Sequence, residues 1–156
     1  LHPVAHSFPT RRSSDLRIQL GASRRRLEDA RALHAQKRWN GAIYMGGYAI
    51  ECALKSLICF EERKNNFKDT QVFNKLQGGN LHNLAVLSDF VNSLKRAIAL
   101  DRTNNYRDAW HTVSSLWCND ELRYSDKSGQ EKESKRFIEA VEKLHRLLLD
   151  RQGETS

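Results

Sequence analysis

The sequence has few of the residues that cross-link small domains or bind metal ions. Its three cysteines are an odd number and form no CxxC pair, which argues against a disulfide-rich secreted scaffold and against a zinc site. We expect these cysteines to be buried, reduced thiols. The eight glycines form no phosphate-binding or dinucleotide-binding loop, because Gly46–Gly47 lies in an apolar helical run and Gly78–Gly79 lacks the flanking strand, lysine and hydroxyl residue. The sequence therefore predicts neither a metal nor a cofactor.

The composition is that of one small basic domain. A length close to about 150 residues predicts a single domain, and a hydrophobic fraction of 39% suffices for one core and argues against disorder. The chain carries 26 basic and 19 acidic side chains, a net charge of +7. This excess permits a polyanionic partner without proving one, because net charge governs solubility and association rather than fold. We expect a cytoplasmic protein.

We expect the first sixteen residues not to belong to the native domain. Ser7–Leu16 reads SFPTRRSSDL, which matches one reading frame of a common sequencing adapter. We therefore set residues 1–16 apart, predict one helical domain over residues 17–150, and expect residues 151–156 to form a frayed tail. No apolar run typical of a secretory signal follows the early arginines.

Apolar residues recur at helical spacing along the rest of the chain. No stretch alternates with a period of two, and only two prolines are present, so the sequence predicts an all-α, up-and-down bundle of four to five helices. The first two predicted helices are Ser23–Lys37, with Ser23 as N-cap, and Ala42–Phe60, which follows an Asn40 cap. A third helix begins at His82 or Asn83 and breaks near Ser88–Asp89, and a fourth begins at Asn105 and has Tyr106, Trp110, Val113 and Trp117 on one face. The closing helix follows a Ser128/Glu131 capping box and has Phe137, Val141, Leu144 and Leu148 on one face.

One predicted helix, Ala42–Phe60, is apolar almost all round. Its nineteen residues would span about 28 Å, nearly a membrane thickness, but Glu51 and Lys55 near its middle would each oppose insertion by about 2.5–3.5 kcal/mol. In a bundle the same two residues form an i,i+4 pair. We therefore interpret this segment as the central helix of a soluble bundle, with Glu51 as a buried structural charge. Gly46 and Gly47 provide small surfaces for close helix packing.

A few polar residues are candidates for chemistry. Glu51 would serve a site only if it bordered a cleft shared with His82, Arg107, His111 or Arg123. Arg107 and His111 are four residues apart and project from one helix face. Arginine can hold a phosphate, and histidine can transfer a proton near neutral pH, as metal-independent RNA cleavage requires. Such pairs are common by chance, so Arg107 and His111 are weak catalytic candidates.

Several motifs in the same order resemble those of prokaryotic HEPN domains. They are the run Gly41–Lys55 (GAIYMGGYAIECALK), the triplet His82–Asn83–Leu84, Trp117, and the triplet Leu122–Arg123–Tyr124. The resemblance covers about Ser23 to Leu149. It implies a helical bundle that is often a homodimer and binds a nucleotide or RNA. It also implies that some members are RNases of toxin–antitoxin or defence systems, often beside a nucleotidyltransferase-like partner.

The nuclease pattern of that family is not matched here. Nuclease members carry an arginine, four to six residues, and then a histidine, often followed two positions later by a tyrosine. In this sequence Arg107 and His111 have three residues between them, and position 113 is Val113. The family's catalytic residues therefore cannot be carried over, although a pair across a dimer cleft could still converge.

Three hypotheses follow for the function. The first is a noncatalytic module that binds a nucleotide or RNA, and its candidate binding residues are Lys55, His82, Arg107, His111, Arg123 and Tyr124. The second is a metal-independent RNase in which Arg107 and His111 act across a dimer. The third is a dimerisation or scaffolding partner of a nucleotidyltransferase-like protein, with Trp39, Trp110 and Trp117 as core or interface anchors. None of the three requires a membrane.

Overall fold

The structure, a computed structural model, describes residues 14–117 and 129–154. These ranges contain helices and no strand, which confirms the predicted all-α class. The α-helices are α1 (Asp15–Ala35), α2 (Trp39–Glu62), α3 (Gln71–Lys75), α4 (Leu84–Asp89), α5 (Asn92–Leu100), α6 (Asn105–Leu116) and α7 (Glu131–Asp150), with 3₁₀ turns at Phe67–Asp69 and Gly78–His82.

The long helices pack around α2. Helix α2 contacts α1 and α7 most extensively, α7 also packs against α6, and α4 lies on α2 while α5 connects α4 to α6. The apolar side chains of α2 form the centre of the core, where Ile50, Leu54 and Leu57 are completely buried. The predicted apolar face of α7 is confirmed, since Phe137, Val141, Leu144 and Leu148 are all buried.

Helix α2 is also the segment that resembles a membrane span. In the described part of the chain it is the one helix long and apolar enough to cross a bilayer, and 72% of its apolar window is buried inside the bundle. Its apolar side chains therefore pack against neighbouring helices. The interpretation of this segment as a core helix agrees with the structure.

Two glycines of α2 allow its neighbours to come unusually close. A methyl group on Gly47 would overlap the indole of Trp117, and one on Gly46 would lie 2.9 Å from the Phe137 ring. The Trp117 indole N–H donates a hydrogen bond to the Tyr44 carbonyl over a distance of 3.1 Å. The prediction that these glycines support close packing is confirmed.

The first helix begins eight residues earlier than predicted, so the assignment of Ser23 as its N-cap is wrong. Helix α1 starts at Asp15, and the Ser14 hydroxyl accepts its first side-chain capping bond. The Asp15 carboxylate also accepts a hydrogen bond of 2.9 Å from the Phe67 amide. Ser23 is completely buried in mid-helix, where its hydroxyl donates to the Leu20 carbonyl. A serine that bonds back to its own helix imitates a cap in the sequence.

Two further capping predictions are wrong. Helix α2 begins at Trp39 with Arg38 in the cap position, so Asn40 lies within its first turn. Helix α7 begins at Glu131 after Gln130, so Glu131 is the first helical residue rather than the third, as a capping box requires. Ser128, the other half of that predicted box, lies outside the described residues.

In the middle of the chain, helices α4 to α6 lie close to their predicted positions, and short helical turns precede them. Asn83 caps α4, because its side-chain oxygen accepts from the Val86 amide at 3.2 Å. The helix breaks at Phe90–Val91, two residues after the predicted Ser88–Asp89 position. Helix α6 begins at Asn105, as predicted. The polar stretch before α4, for which no helix is predicted, contains α3 and the two 3₁₀ turns.

The predicted fraying of residues 151–156 is wrong for the part that the structure describes. Gln152 is only 7% exposed, and its side-chain amide donates to the Leu148 carbonyl at 3.1 Å. Glu154 forms an ion pair with Arg24 of α1, with the two charged atoms 3.3 Å apart. The end of α7 is therefore attached to α1, up to Glu154.

Candidate functional site

A charged group lies inside the bundle at the middle of α2. Glu51 is 4% exposed and Lys55 is 7% exposed. One carboxylate oxygen of Glu51, Oε2, lies 3.3 Å from Lys55 Nζ and 3.3 Å from His82 Nδ1. The other oxygen, Oε1, is buried without a hydrogen-bond partner among the described residues. The prediction of a buried Glu51 paired with Lys55 is confirmed.

The local sequence explains this arrangement. An i,i+4 spacing places Lys55 one turn after Glu51 on α2, and the Lys55 ammonium also lies 5.4 Å from the centre of the Phe67 ring, a distance typical of cation–π contacts. His82 ends the 3₁₀ turn Gly78–His82, and Asn83 then caps α4. The chain around His82 is therefore fixed on both sides.

The contact between Glu51 and His82 resembles the orienting half of a catalytic dyad. The His82 side chain is 56% exposed, whereas the Glu51 side chain is 5% exposed. When Nδ1 donates its proton to the carboxylate, the neutral ring keeps Nε2 as a proton acceptor. No described residue bonds to that second nitrogen, so a buried acid orients a solvent-accessible imidazole.

A groove of about 330 Å³ lies between α5 and α6. Its floor is apolar, with Leu94 completely buried and Trp110 half-buried. Charged side chains of opposite sign lie along its edges. The lining residues are Ser88, Asp89, Leu94, Lys95, Ile98, Ala99, Arg107 and Trp110. We call this cavity the α5–α6 groove. An aromatic ring beside two cations is suited to a flat, anionic ligand.

A second, more polar depression of about 330 Å³ lies between the start of α6 and α7. It is lined by Asp101, Thr103, Asn105, Tyr106, Lys143 and Arg146. The Asp101 carboxylate accepts hydrogen bonds from the Tyr106 amide at 2.7 Å and from the Thr103 hydroxyl at 2.6 Å. These bonds, with that from Thr103 as the largest cause, hold the pKa of Asp101 below its usual value. Asp101 therefore caps the start of α6 as a carboxylate.

The structure separates the predicted binding residues into two groups. Lys55 and His82 belong to the buried Glu51 group, whereas Arg107 lines the α5–α6 groove. His111 is exposed one turn after Arg107 on α6. Lys55 is buried, and its ammonium is paired with the Glu51 carboxylate. Two further candidates, Arg123 and Tyr124, lie outside the described residues.

Two charged residues of the groove are not apparent from the sequence. Asp89 and Lys95 lie six positions apart on either side of the break between α4 and α5, and the fold brings their charged atoms to 3.9 Å. Trp110, one of the predicted core or interface anchors, is half-buried and borders the groove. The signal in the sequence was the predicted helix break, which separates α4 from α5 at this point.

The cysteines have no features of a reactive site. Burial, followed by the charge of Glu51, raises the pKa of Cys52 to about 11, and burial raises that of Cys59 to about 12. Both are therefore protonated thiols near neutral pH, as predicted, although Cys52 is only partly buried. Cys118 lies outside the described residues. In the ranges that the structure describes, no three histidine, cysteine or acidic side chains group together as metal ligands.

The fold and these residues define a small helical module, and comparison with known families assigns it. The model of the HEPN domain family matches residues 18–152, which is most of the chain. The protein therefore belongs to the HEPN domain family, in agreement with the resemblance of its motifs. No curated protein and no solved structure matches the chain.

Proposed function

We propose that this HEPN module binds a nucleotide or RNA and does not cleave it. The observation that supports the proposal is the α5–α6 groove, where the Trp110 ring lies beside the side chains of Arg107 and Lys95. A nucleobase that stacks on an aromatic side chain gains roughly 1–3 kcal/mol. Arginine then neutralises its phosphate, and it can do so with two parallel hydrogen bonds.

The surroundings of α6 favour a binding role over a catalytic one. Arg107 and His111 are exposed on the same face, but no described carboxylate contacts His111 to orient its ring. The spacing of the two residues also differs from the nuclease pattern. In this proposal Arg107 holds phosphate, His111 is a peripheral contact, and the protein works in the cytoplasm as a homodimer beside a nucleotidyltransferase-like partner.

The first experiment measures binding and integrity of RNA together. Fluorescence anisotropy with a labelled single-stranded RNA in EDTA is expected to show binding, and a gel of the same mixture is expected to show intact RNA. Arg107→Ala should weaken binding about tenfold, which corresponds to the loss of one charge-assisted contact. The control is Arg136→Ala on α7, an exposed arginine outside both depressions. Equal binding by the two variants would refute the proposed site.

A metal-independent RNase is the second candidate, and the Glu51–His82 contact favours it. A carboxylate that holds one imidazole nitrogen leaves the other available to accept a proton from a ribose hydroxyl. RNA cleavage in EDTA that is lost in His82→Ala would support this role. Cleavage lost only in His111→Ala would instead support the Arg107–His111 pair.

A further inference from the structure

The rim of the α5–α6 groove carries an acidic and a basic side chain next to each other. Lys95 Nζ lies 3.9 Å from Asp89 Oδ1, which is longer than a hydrogen bond between nitrogen and oxygen. The Asp89 side chain is 74% exposed and that of Lys95 is 53% exposed. The two side chains therefore form an ion pair without a hydrogen bond, and their exposure leaves both accessible to a ligand in the groove.

The groove is large enough for one nucleobase, and its lining suits one. Its volume of about 330 Å³ lies at the lower end of the range of about 300–1,000 Å³ for ligand pockets. Leu94 and Ile98 provide an apolar floor, and Trp110 provides an aromatic wall. The charges are confined to the rim. A flat aromatic ring that carries hydrogen-bonding groups along one edge fits this distribution.

We propose that the α5–α6 groove is selective for guanine, an inference that rests on the proposed nucleotide or RNA binding. The Watson–Crick edge of guanine presents the acceptor O6 beside two donors, N1–H and N2–H. Lys95 donates to O6, and the two oxygens of Asp89 accept from N1–H and N2–H. Trp110 stacks on the base, and Arg107 neutralises the phosphate.

The other bases do not satisfy the same pair of side chains as fully. Adenine and cytosine each offer the carboxylate one amino group, next to a ring nitrogen that has no proton. Uracil offers one N–H between two carbonyl oxygens, which repel a carboxylate. Only guanine provides two parallel donors for one carboxylate, and such a bidentate contact discriminates between bases by roughly 5- to 150-fold.

The test compares ligands on the whole chain by calorimetry. GMP is expected to bind about 5- to 150-fold more tightly than AMP, CMP or UMP. A short oligoadenylate with one central guanosine is compared with the same oligoadenylate without it. Binding of GMP identifies a free nucleotide as a sufficient ligand, whereas selectivity seen only in the oligonucleotide identifies an unpaired guanosine of RNA. Either result supports guanine recognition.

Asp89→Asn tests which residue reads the base. The amide oxygen of asparagine can still accept from N1–H, but its NH₂ group would face the N2 amino group of guanine, and both groups are donors. The variant should therefore lose its preference for GMP and bind xanthosine monophosphate better. The control is Asp150→Asn. Asp150 is an exposed aspartate at the end of α7, just as Asp89 is an exposed aspartate at the end of α4. This control should keep the wild-type selectivity.

The failures of the two proposals are distinguishable. Equal affinity for all four nucleotides and both oligonucleotides would overturn guanine recognition and leave nucleotide binding intact. A GMP preference that persists in Asp89→Asn would overturn the assignment of Asp89 as the reader. Absence of binding to every nucleotide and oligonucleotide would overturn the proposed function together with the inference.

Discussion

Glu51 brings a negative charge into the interior of α2, where desolvation would disfavour an unpaired carboxylate strongly. Lys55 and His82 share its oxygen Oε2, so the charge is compensated within the protein. A buried ion pair of this kind contributes little net stability compared with apolar side chains, but the loss of one partner is strongly destabilising. The group therefore behaves as a unit.

Lys55→Met should lower the free energy of unfolding by about 3 kcal/mol or more, because it leaves Glu51 buried with only His82 nearby. Chemical denaturation at pH 7.5, followed by circular dichroism, measures this change. The double variant Glu51→Gln/Lys55→Met should recover most of the loss, because the uncompensated charge is gone. A double variant that is as unstable as Lys55→Met would contradict the assignment of the loss to charge.

His145 is a second buried polar residue, and it connects α7 to α1. Its Nε2 lies 3.0 Å from the Ser23 hydroxyl, and that hydroxyl already donates to the Leu20 carbonyl. Nε2 must therefore carry the proton that it donates to Ser23. Burial, and then the charges of Arg24 and Arg31, lower the pKa of His145 to about 4 from the ordinary value of 6.5.

The sign of the resulting pH dependence follows from this lowered pKa. Between pH 6.5 and 4 the unfolded chain takes up a proton at His145 and the folded chain does not, so stability falls as the pH falls through this window. The full loss is roughly 3 kcal/mol. Unfolding free energies at pH 7.5 and 4.5 should differ more for wild type than for His145→Gln, which cannot titrate. Equal differences would contradict a buried neutral histidine.

At the scale of elements, α2 organises the bundle because it has glycines where the neighbouring segments have large aromatic side chains. Gly47 and Gly46 leave space for the rings of Trp117 and Phe137, so Trp117, which follows α6, and helix α7 pack closely against α2. Glycine inside a helix normally reduces helix stability by about 1 kcal/mol relative to alanine. Here its absent side chain is what the packing requires.

Gly47→Ala should therefore destabilise the protein despite the better helix propensity of alanine. The new methyl group overlaps the Trp117 indole, and overpacking of this kind usually reduces stability by about 1–3 kcal/mol. The matched control is Gly21→Ala in α1, where the methyl group would meet only the Arg25 side chain at 3.5 Å. Thermal unfolding should show a lower Tm for Gly47→Ala and an equal or higher Tm for Gly21→Ala.

The sequence pattern predicted the cores of the long helices better than their ends. Periodic apolar residues identified the buried face of α7, because burial on one side imposes that period, and a continuous apolar run identified α2 as the central helix. The ends of the helices depended on single residues with an unusual backbone conformation. Lys37 and Arg63 follow α1 and α2 with φ values of 61° and 56°, in a left-handed conformation that normally favours glycine. No glycine therefore marked the ends of these helices.

At the scale of the whole molecule, the net charge of +7 favours association with a polyanion, and the number of phosphates contacted sets how that binding depends on salt. Each phosphate that the protein neutralises on a single strand contributes about −0.7 to the slope of log K against log salt concentration. RNA affinity should therefore fall steeply with salt, and Arg107→Ala should reduce the steepness by about one such contribution. Anisotropy titrations at several salt concentrations measure both slopes. A flat salt dependence would contradict binding through phosphates.

The candidate site could be predicted only in part. Glu51 and Lys55 lie on one helix, and their i,i+4 spacing placed them together without knowledge of the fold. Arg107 was identified as a phosphate-binding candidate from its residue type. Asp89 and Lys95 were not identified, because their proximity depends on the angle between α4 and α5. Helical periodicity carries no information about such an angle.

The sequence by itself determined the helical class, the buried faces of the long helices and the pairing of Glu51 with Lys55, because all of these depend on spacing within one helix. Only the tertiary structure decided that His82 meets Glu51, that Ser23 meets His145, and that Trp110 borders a groove with charges at its rim. Those contacts join residues from separate helices. Their geometry is set by how side chains of different size pack between helices, and that packing is a property of the whole fold.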